Sequence, residues 1–286
     1  MSAIPRPDDS ILLRDDRDGV CTLTLNRPGQ MNLLTTEMLE ALQAAFDALA
    51  SDKRVRVVVL AALQSELDRL ADDDAVKVVV LAGAGTHFCA GHDLREMRRH
   101  PEKKWQKALF DRCSRMMLSL VRLPQPVIAR VQGVAVAAGC QLVAMCDLAV
   151  ASDAAQFALP GVKSGLFCTT PGVGVSRGIS RKHALEMLLT GDLVDANTAL
   201  SWGLVNRVVP HSALDAEVDK LARKILAHSS AVVTMGKQLF YEQVEKGLKD
   251  AYSLASEGMA RNMMLKDAAE GIDAFLGKRK PSWRGK

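Results

Sequence analysis

The sequence lacks any apolar run approaching the roughly 20 residues needed to cross a bilayer, so no membrane partner is expected. It lacks the apolar core of a secretory signal, and Met1–Ser10 carries Asp8 and Asp9, which also suits a transit peptide poorly. The expected compartment is therefore cytoplasmic. A concentrated basic stripe is missing too. A formal net charge of +4 over 286 residues is mild, and nucleic acid is not an expected partner. The one dense basic cluster is Lys278-Arg279-Lys280. There is no C-x-x-C pair. Cys21, Cys89, Cys113, Cys140, Cys146 and Cys168 are scattered and mostly flanked by apolar residues, so they read as reduced, buried thiols. No low-complexity linker interrupts the chain.

What remains is ordinary globular composition, 48% hydrophobic and 24% charged, long enough to bury a large core. Val20–Leu25 alternates as a strand, and Asn26-Arg27-Pro28-Gly29 ends it. Thr35 or Thr36 can cap a helix to about Ala50, with Met38, Leu39, Leu42, Phe46 and Leu49 on one face. Val55–Leu60 reads as a strand, Gln64–Ala71 as a helix and Val76–Leu81 as a second strand. Trp105–Leu123 is helical, stopped by Pro124 and Pro126. Strands follow at Pro126–Val131 and Asp147–Ala151, with a helix opening from Gly133–Gly139 between them. Helices dominate from His183: His183–Thr190, Asp195–Trp202, Leu214–His228 and Ala231–Leu276, the last breaking near Gly247. The pattern predicts a layered α/β core with a helical C-terminal part.

Leu42–Ala62 and Leu63–Gly83 align without gaps at an offset of 21 residues, sharing Val-Val-Val-Leu-Ala at 57–61 and 78–82. Each copy is one helix–strand unit. Two copies are too few for a solenoid, so this reads as a tandem duplication inside a globular fold. The second strand, Val76–Leu81, should hold the native place, because it feeds the loops that begin at Gly83.

Two glycine-bearing loops follow strands: Gly83–Leu94 and Val131–Gln141. Small residues let a ligand approach the backbone. The second loop leads into a helix whose first N–H groups lack intrahelical acceptors. With the helix dipole, they suit an oxygen that gains negative charge.

Both loops, in this order and spacing, resemble the crotonase (enoyl-CoA hydratase/isomerase) superfamily from about Val20 to Arg279. The elements are Leu25-Asn26-Arg27-Pro28, Phe88-Cys89-Ala90-Gly91-His92-Asp93-Leu94, Ala138-Gly139-Cys140-Gln141-Leu142 with Cys146-Asp147, and Pro171-Gly172. Ala199, Gly203-Leu204-Val205 and Phe275-Leu276-Gly277-Lys278-Arg279-Lys280-Pro281 complete the set. The resemblance implies an α/β crotonase fold of stacked ββα turns over residues 1–205. It implies a C-terminal helical trimerisation region over 206–286, in a homotrimer or a dimer of trimers. It implies an acyl-CoA or enoyl-CoA substrate, with coenzyme A entering as part of the substrate and no separate cofactor. The thioester oxygen would sit between the N–H groups of His92 and Ala138. Ala90, Asp93 and Leu94 would also contact the substrate or its coenzyme A. Coenzyme A would meet Arg27, the surroundings of Arg95, and Phe275 and Lys278, the last two from a neighbouring subunit.

One departure matters. Two glutamates serve as acid and base in the family's hydratases, and they would fall at Gln141 and Gly161. An amide can orient water but cannot take a proton near neutral pH. Losing both carboxylates predicts weak hydration, and leaves isomerisation, decarboxylation or thioester hydrolysis open. A non-catalytic acyl-CoA-binding or regulatory protein is the rival reading, and RNA binding a weaker third. Gly174-Val175-Ser176-Arg177-Gly178 matches a nucleophile-elbow pattern but lacks the preceding strand. His87, Cys89 and His92 are too closely spaced for zinc, so no metal is expected. Cys140 and Cys168 are expected to be core or pocket-lining thiols. Asp147 is expected to be structural and Asp153 to lie in a turn.

Overall fold

The computed structural model describes residues 10–18, 20–51, 58–59 and 77–285. Three successive strand–turn–strand units build the core. β4 (Val78–Gly83) turns into β5 (His87–Cys89), β6 (Val127–Val131) into β7 (Val134–Val136), and β8 (Leu148–Ser152) into β9 (Gln156–Ala158). The first strand of each unit joins a seven-stranded sheet and the second joins a four-stranded sheet. Helices close each turn: α2 (Leu94–Arg99) and α3 (Lys103–Arg122) after the first, α4 (Ala138–Met145) after the second, and α5 (Thr169–Gly178) after the third.

The large sheet runs β1-β2-β3-β4-β6-β8-β11, with β1 (Leu12–Arg17) antiparallel to β2 (Val20–Leu25) and the rest parallel. β11 is Arg207–Val209 and lies beside β8. The small sheet runs β10-β9-β7-β5, with β10 at Val194–Asp195. β4 is buried along its whole length, as a parallel strand covered on both faces should be. α1 (Thr36–Ser51) buries the face read from the sequence, Met38, Leu39, Leu42, Phe46 and Leu49. Thr35 Oγ1 accepts from Met38 N–H at 3.2 Å and caps it. On α3, Leu109, Cys113, Met116, Met117 and Leu120 form one buried stripe.

The duplicated segment is used unequally. The helix of the first copy is α1, and the strand of the second copy is β4, between β2 and β6. β3 is the two residues Val58–Val59, and it faces β4 as Val58↔Val79 and Val59↔Val80, the pairs that the repeat equates. The rest of the Val55–Leu60 strand reading and the Gln64–Ala71 helix reading lie outside the described residues. Because one helix and one strand suffice, a chain lacking residues 52–72 is expected to fold. Among the described residues it loses only the two-residue β3, whose neighbours β2 and β4 also pair directly, so its stability should lie within about 1 kcal/mol of the parent. Calorimetric unfolding of the two chains checks this, and a much larger loss would mean that the surplus copy is integral.

α6 (Arg181–Thr190), α7 (Ala196–Trp202) and α8 (Leu214–Leu226) follow the sequence reading closely. The long C-terminal helix reading needs correction. It is three helices, α9 (Ser230–Val244), α10 (Leu248–Met263) and α11 (Lys266–Leu276), broken near Gly247 as expected and again at Met264–Leu265. Polar bonds fasten this part. Lys237 Nζ donates to Leu120 O (2.9 Å) and Gln125 O (2.8 Å) and lies 2.7 Å from Asp147 Oδ2. Tyr241 O–H donates to Asp147 Oδ1 at 2.8 Å, and Thr234 O–H to Pro124 O at 2.9 Å. Buried Asp267 accepts from the Ser229 hydroxyl and from the N–H groups of Arg284 and Gly285. Outward, Leu248, Tyr252, Met259, Met264 and Phe275 are exposed. None of the helices of the described residues is long and apolar enough to cross a membrane.

Candidate functional site

The turns of successive ββα units meet at one end of the sheets, and buried amides fix them there. Asn32 Nδ2 donates to Ala84 O (2.9 Å) and His87 O (3.0 Å), while its Oδ1 accepts from Arg27 N–H (3.0 Å). Gln132 Nε2 donates to Gly83 O (2.7 Å) and His87 O (2.9 Å). These clamps hold the Gly83–Leu94 loop against the second loop. Nothing in the sequence reading singled them out, because an isolated Asn or Gln carries no motif.

Gly91 brings the loops together. Its φ of +87° suits glycine. A methyl added there would lie 2.9 Å from Ala137 Cβ and 3.2 Å from Ala138 N. His92 follows Gly91, and Ala138 opens α4. Neither N–H donates to a loop, turn or cap carbonyl among the described residues, and Ala138, as the first helical residue, has no intrahelical acceptor. The segment between β7 and α4 is strained. Ala137 has φ +51° and ψ −121°, a region that disfavours any residue with a Cβ. Ala137→Gly is expected to release that strain. After the entropy that glycine returns to the unfolded chain, the gain should be about 1 kcal/mol, or roughly 2–4 °C in Tm by calorimetry. An unchanged or lower Tm would show that the methyl's packing outweighs the strain.

His92, Ala137 and Ala138 line a cavity of about 450 Å³. Leu94, Met97 and Phe110 form one side, and Gly161, Leu166, Phe167 and Cys168 the other. Among the described residues, no Asp, Glu, Lys or Arg lines it. The His92 ring packs edge-on against Phe110, centroids 5.8 Å apart. Its Nδ1 lies 3.2 Å from Leu34 O, which can only accept, so Nδ1 carries the proton and Nε2 is the bare nitrogen. Nε2 is buried without a partner among the described residues. Burial holds the imidazole below its ordinary pKa, partly offset by Leu34 O and Glu96. The unfolded chain therefore binds this proton at a higher pH than the folded one. Stability should fall as pH drops from about 6.5. His92→Gln should flatten that part of a Tm-against-pH profile, and an unchanged slope would exclude His92 as its source.

Gln141 is 4% exposed on the first turn of α4, and its Oε1 has no partner among the described residues. Gly161 lines the cavity itself. Ala90 and Leu94 do so too, whereas the Asp93 carboxylate is spent on capping α2, accepting from Arg95 N–H at 2.8 Å and Glu96 N–H at 3.4 Å. Gln141, Arg27, Arg95, Phe275 and Lys278 are not among the lining residues of this one chain. Arg27 lies 3.8 Å from Glu37, and Phe275 is 83% exposed. In the basic tail, Arg279 is committed to Glu270, at 2.6 and 2.8 Å, and holds that carboxyl down to about 2. Asp147 is the half-buried partner of buried Lys237, and Asp153 sits in a turn, as expected. Ser176 lies within α5 rather than after a strand, so the elbow pattern is coincidental. Cys168 lines the cavity, one of the two places expected for it. Phe110 lines it too, from a segment far from both loops, and no local pattern marks it.

Stacked ββα turns that present two small-residue loops to an uncharged cavity define the class: an α/β crotonase fold. The profile of the enoyl-CoA hydratase/isomerase family matches residues 15–66 and 61–286, and the chain belongs to that family. The two matched stretches overlap, as a repeated unit would make them. Enoyl-CoA hydratase domain-containing protein 3, mitochondrial, of Xenopus laevis is 43% identical over 93% of this chain and 83% of its own. The human protein of that name is 42% identical over 98% and 84%. An enoyl-CoA hydratase of Mycobacterium smegmatis superposes with a TM-score of 0.87 at 51% identity, covering 96% of this chain and 99% of its own. The crystal structure of human enoyl coenzyme A hydratase domain-containing protein 3 gives 0.85 at 41%, covering 97% and 100%.

Proposed function

We propose that the chain binds an acyl-CoA thioester and holds its carbonyl oxygen between the N–H groups of His92 and Ala138. Negative charge on that oxygen, as in an enolate, would be stabilised by two preorganised donors and the N-terminal dipole of α4. One observation carries the reading: the Gly91 contact brings two uncommitted N–H groups to the same wall of an uncharged cavity. Ala90 and Leu94 would border the acyl group, and Arg27 and Arg95 would take coenzyme A phosphates. Phe275 and Lys278 would do so from a neighbouring subunit. Exposed apolar side chains on α10 and α11 support a homotrimer or dimer of trimers, which mass measurement in solution tests.

The reaction is of the enoyl-CoA hydratase/isomerase type, with water addition crippled. Gln141 and Gly161 offer no carboxylate, and each missing acid or base group removes about 10²–10⁴-fold. Loss of the conjugated-enoyl absorbance of crotonyl-CoA tests this. Turnover near that of two-carboxylate hydratases would refute it. The second reading is a binding protein without turnover, favoured because no carboxylate of the described residues is in the cavity lining. Calorimetry with a panel of acyl-CoA esters, followed by mass analysis of products, separates the two. The sequence favours the cytoplasm, whereas the relatives carry "mitochondrial" in their names. Imaging of the tagged full chain decides between them.

A further inference from the structure

One wall of the cavity is a segment bonded to itself. Residues Pro160–Ser164 form a 3-10 turn, and Gly165 reverses the chain at φ +73°. Leu166 N–H then donates to Gly161 O at 2.9 Å, and Gly161 N–H donates to Cys168 Sγ at 3.3 Å. The thiol is thereby held over Gly161 and against the cavity. A methyl built on Gly161 would lie 2.8 Å from Cys168 Sγ and 2.9 Å from Leu166 O. Position 161 is thus closed, not vacant, by the Cys168 thiol and the Leu166 carbonyl together, of which the thiol is the side-chain part.

We propose that Cys168 is a specificity-determining residue of this cavity. Its thiol takes the volume that any side chain at 161 would need, and it presents a neutral, polarisable surface to the acyl chain. Such a wall accepts hydrocarbon acyl groups and rejects acyl groups ending in a carboxylate. Methylenes pack well on sulfur. A carboxylate would be stripped of water with no cation in the lining to pair with it. Burial raises the thiol's pKa, so it stays uncharged at neutral pH. The inference rests on the reading that an acyl thioester occupies the cavity.

The test compares octanoyl-CoA, succinyl-CoA and free coenzyme A by calorimetry on the full chain. For the parent, octanoyl-CoA should bind at least ~100-fold more tightly than coenzyme A, because several methylenes are buried, and succinyl-CoA no more tightly. Cys168→Leu should cut the octanoyl advantage by about tenfold or more while leaving coenzyme A affinity unchanged, which also certifies folding. Cys168→Val provides the same readout should the leucine variant not fold. Separately, Gly161→Ala should lower Tm by about 5 °C or more, and by clearly less when Cys168 is alanine. An octanoyl advantage that survives both Cys168 variants, or a Gly161→Ala penalty identical in both backgrounds, overturns the role of Cys168 while leaving the acyl-CoA reading intact. No octanoyl advantage in the parent overturns that reading and the inference with it.

Discussion

Replacing Lys237 by methionine is expected to cost about 3–5 kcal/mol, the usual cost of breaking a buried ion pair from one side. The ammonium has three partners, Leu120 O, Gln125 O and the Asp147 carboxylate, and almost no exposure. Burial pushes its pKa down, and Asp147 opposes that shift. Methionine fills similar volume but supplies no donor, so the Asp147 carboxylate keeps only the Val127 N–H and the Tyr241 hydroxyl. At this chain length the loss should lower Tm by roughly 10 °C. Tyr241→Phe removes one neutral donor and should cost nearer 1 kcal/mol. Denaturant unfolding of both variants gives the comparison. A methionine variant within about 1 kcal/mol of the parent would show that this network does not hold α9 in place.

The second large effect is catalytic. Gln141→Glu is expected to raise the exchange of α-protons of bound butyryl-CoA by about 10²–10⁴-fold, followed by deuterium incorporation in the magnetic resonance spectrum. The side chain is nearly buried on α4 three residues past Ala138, outside the cavity's own lining, and its oxygen has no partner among the described residues. A carboxylate there would be desolvated, which raises its pKa and makes it a stronger base. Gly161→Glu should give no comparable gain, because its first methylene already collides with Cys168 Sγ and Leu166 O. A simple plan to restore both glutamates therefore meets two different obstacles: a missing functional group at 141 and missing space at 161. No rise with Gln141→Glu would mean that residue 141 does not reach the acyl α-carbon.

The elements legible in the sequence were those whose local pattern and tertiary role agree. α1 and α3 have one apolar stripe each, and β2, β6 and β8 are apolar runs with turns at their ends. β1 escaped because Leu-Leu-Arg-Asp-Asp-Arg is mostly charged, as suits an edge strand open to water. β5, β7 and β9 are three residues each, too short for a period to register. α5 escaped because Thr-Thr-Pro-Gly-Val-Gly-Val-Ser-Arg-Gly is a poor helix former. Packing overrides that preference: a side chain at Gly174 would meet Met145 Sδ at 2.9 Å, so the glycine lets α5 lie against α4. Of the site, the two backbone loops were visible as small-residue motifs. Asn32, Gln132 and Phe110 act only once distant segments meet, and a linear pattern does not encode that meeting.

The fastening of α9 to the body has one more consequence. Its bonds run from Lys237, Tyr241 and Thr234 to individual oxygens at the end of α3, on the α3–β6 connection and on Asp147. A greasy contact tolerates sliding, but a set of directional bonds fits in one alignment only. Shifting α9 by a single turn, about 5.4 Å, would break all of them together. The C-terminal helices are thus keyed like a lock rather than held by adhesion: seated in one alignment, or released as a whole.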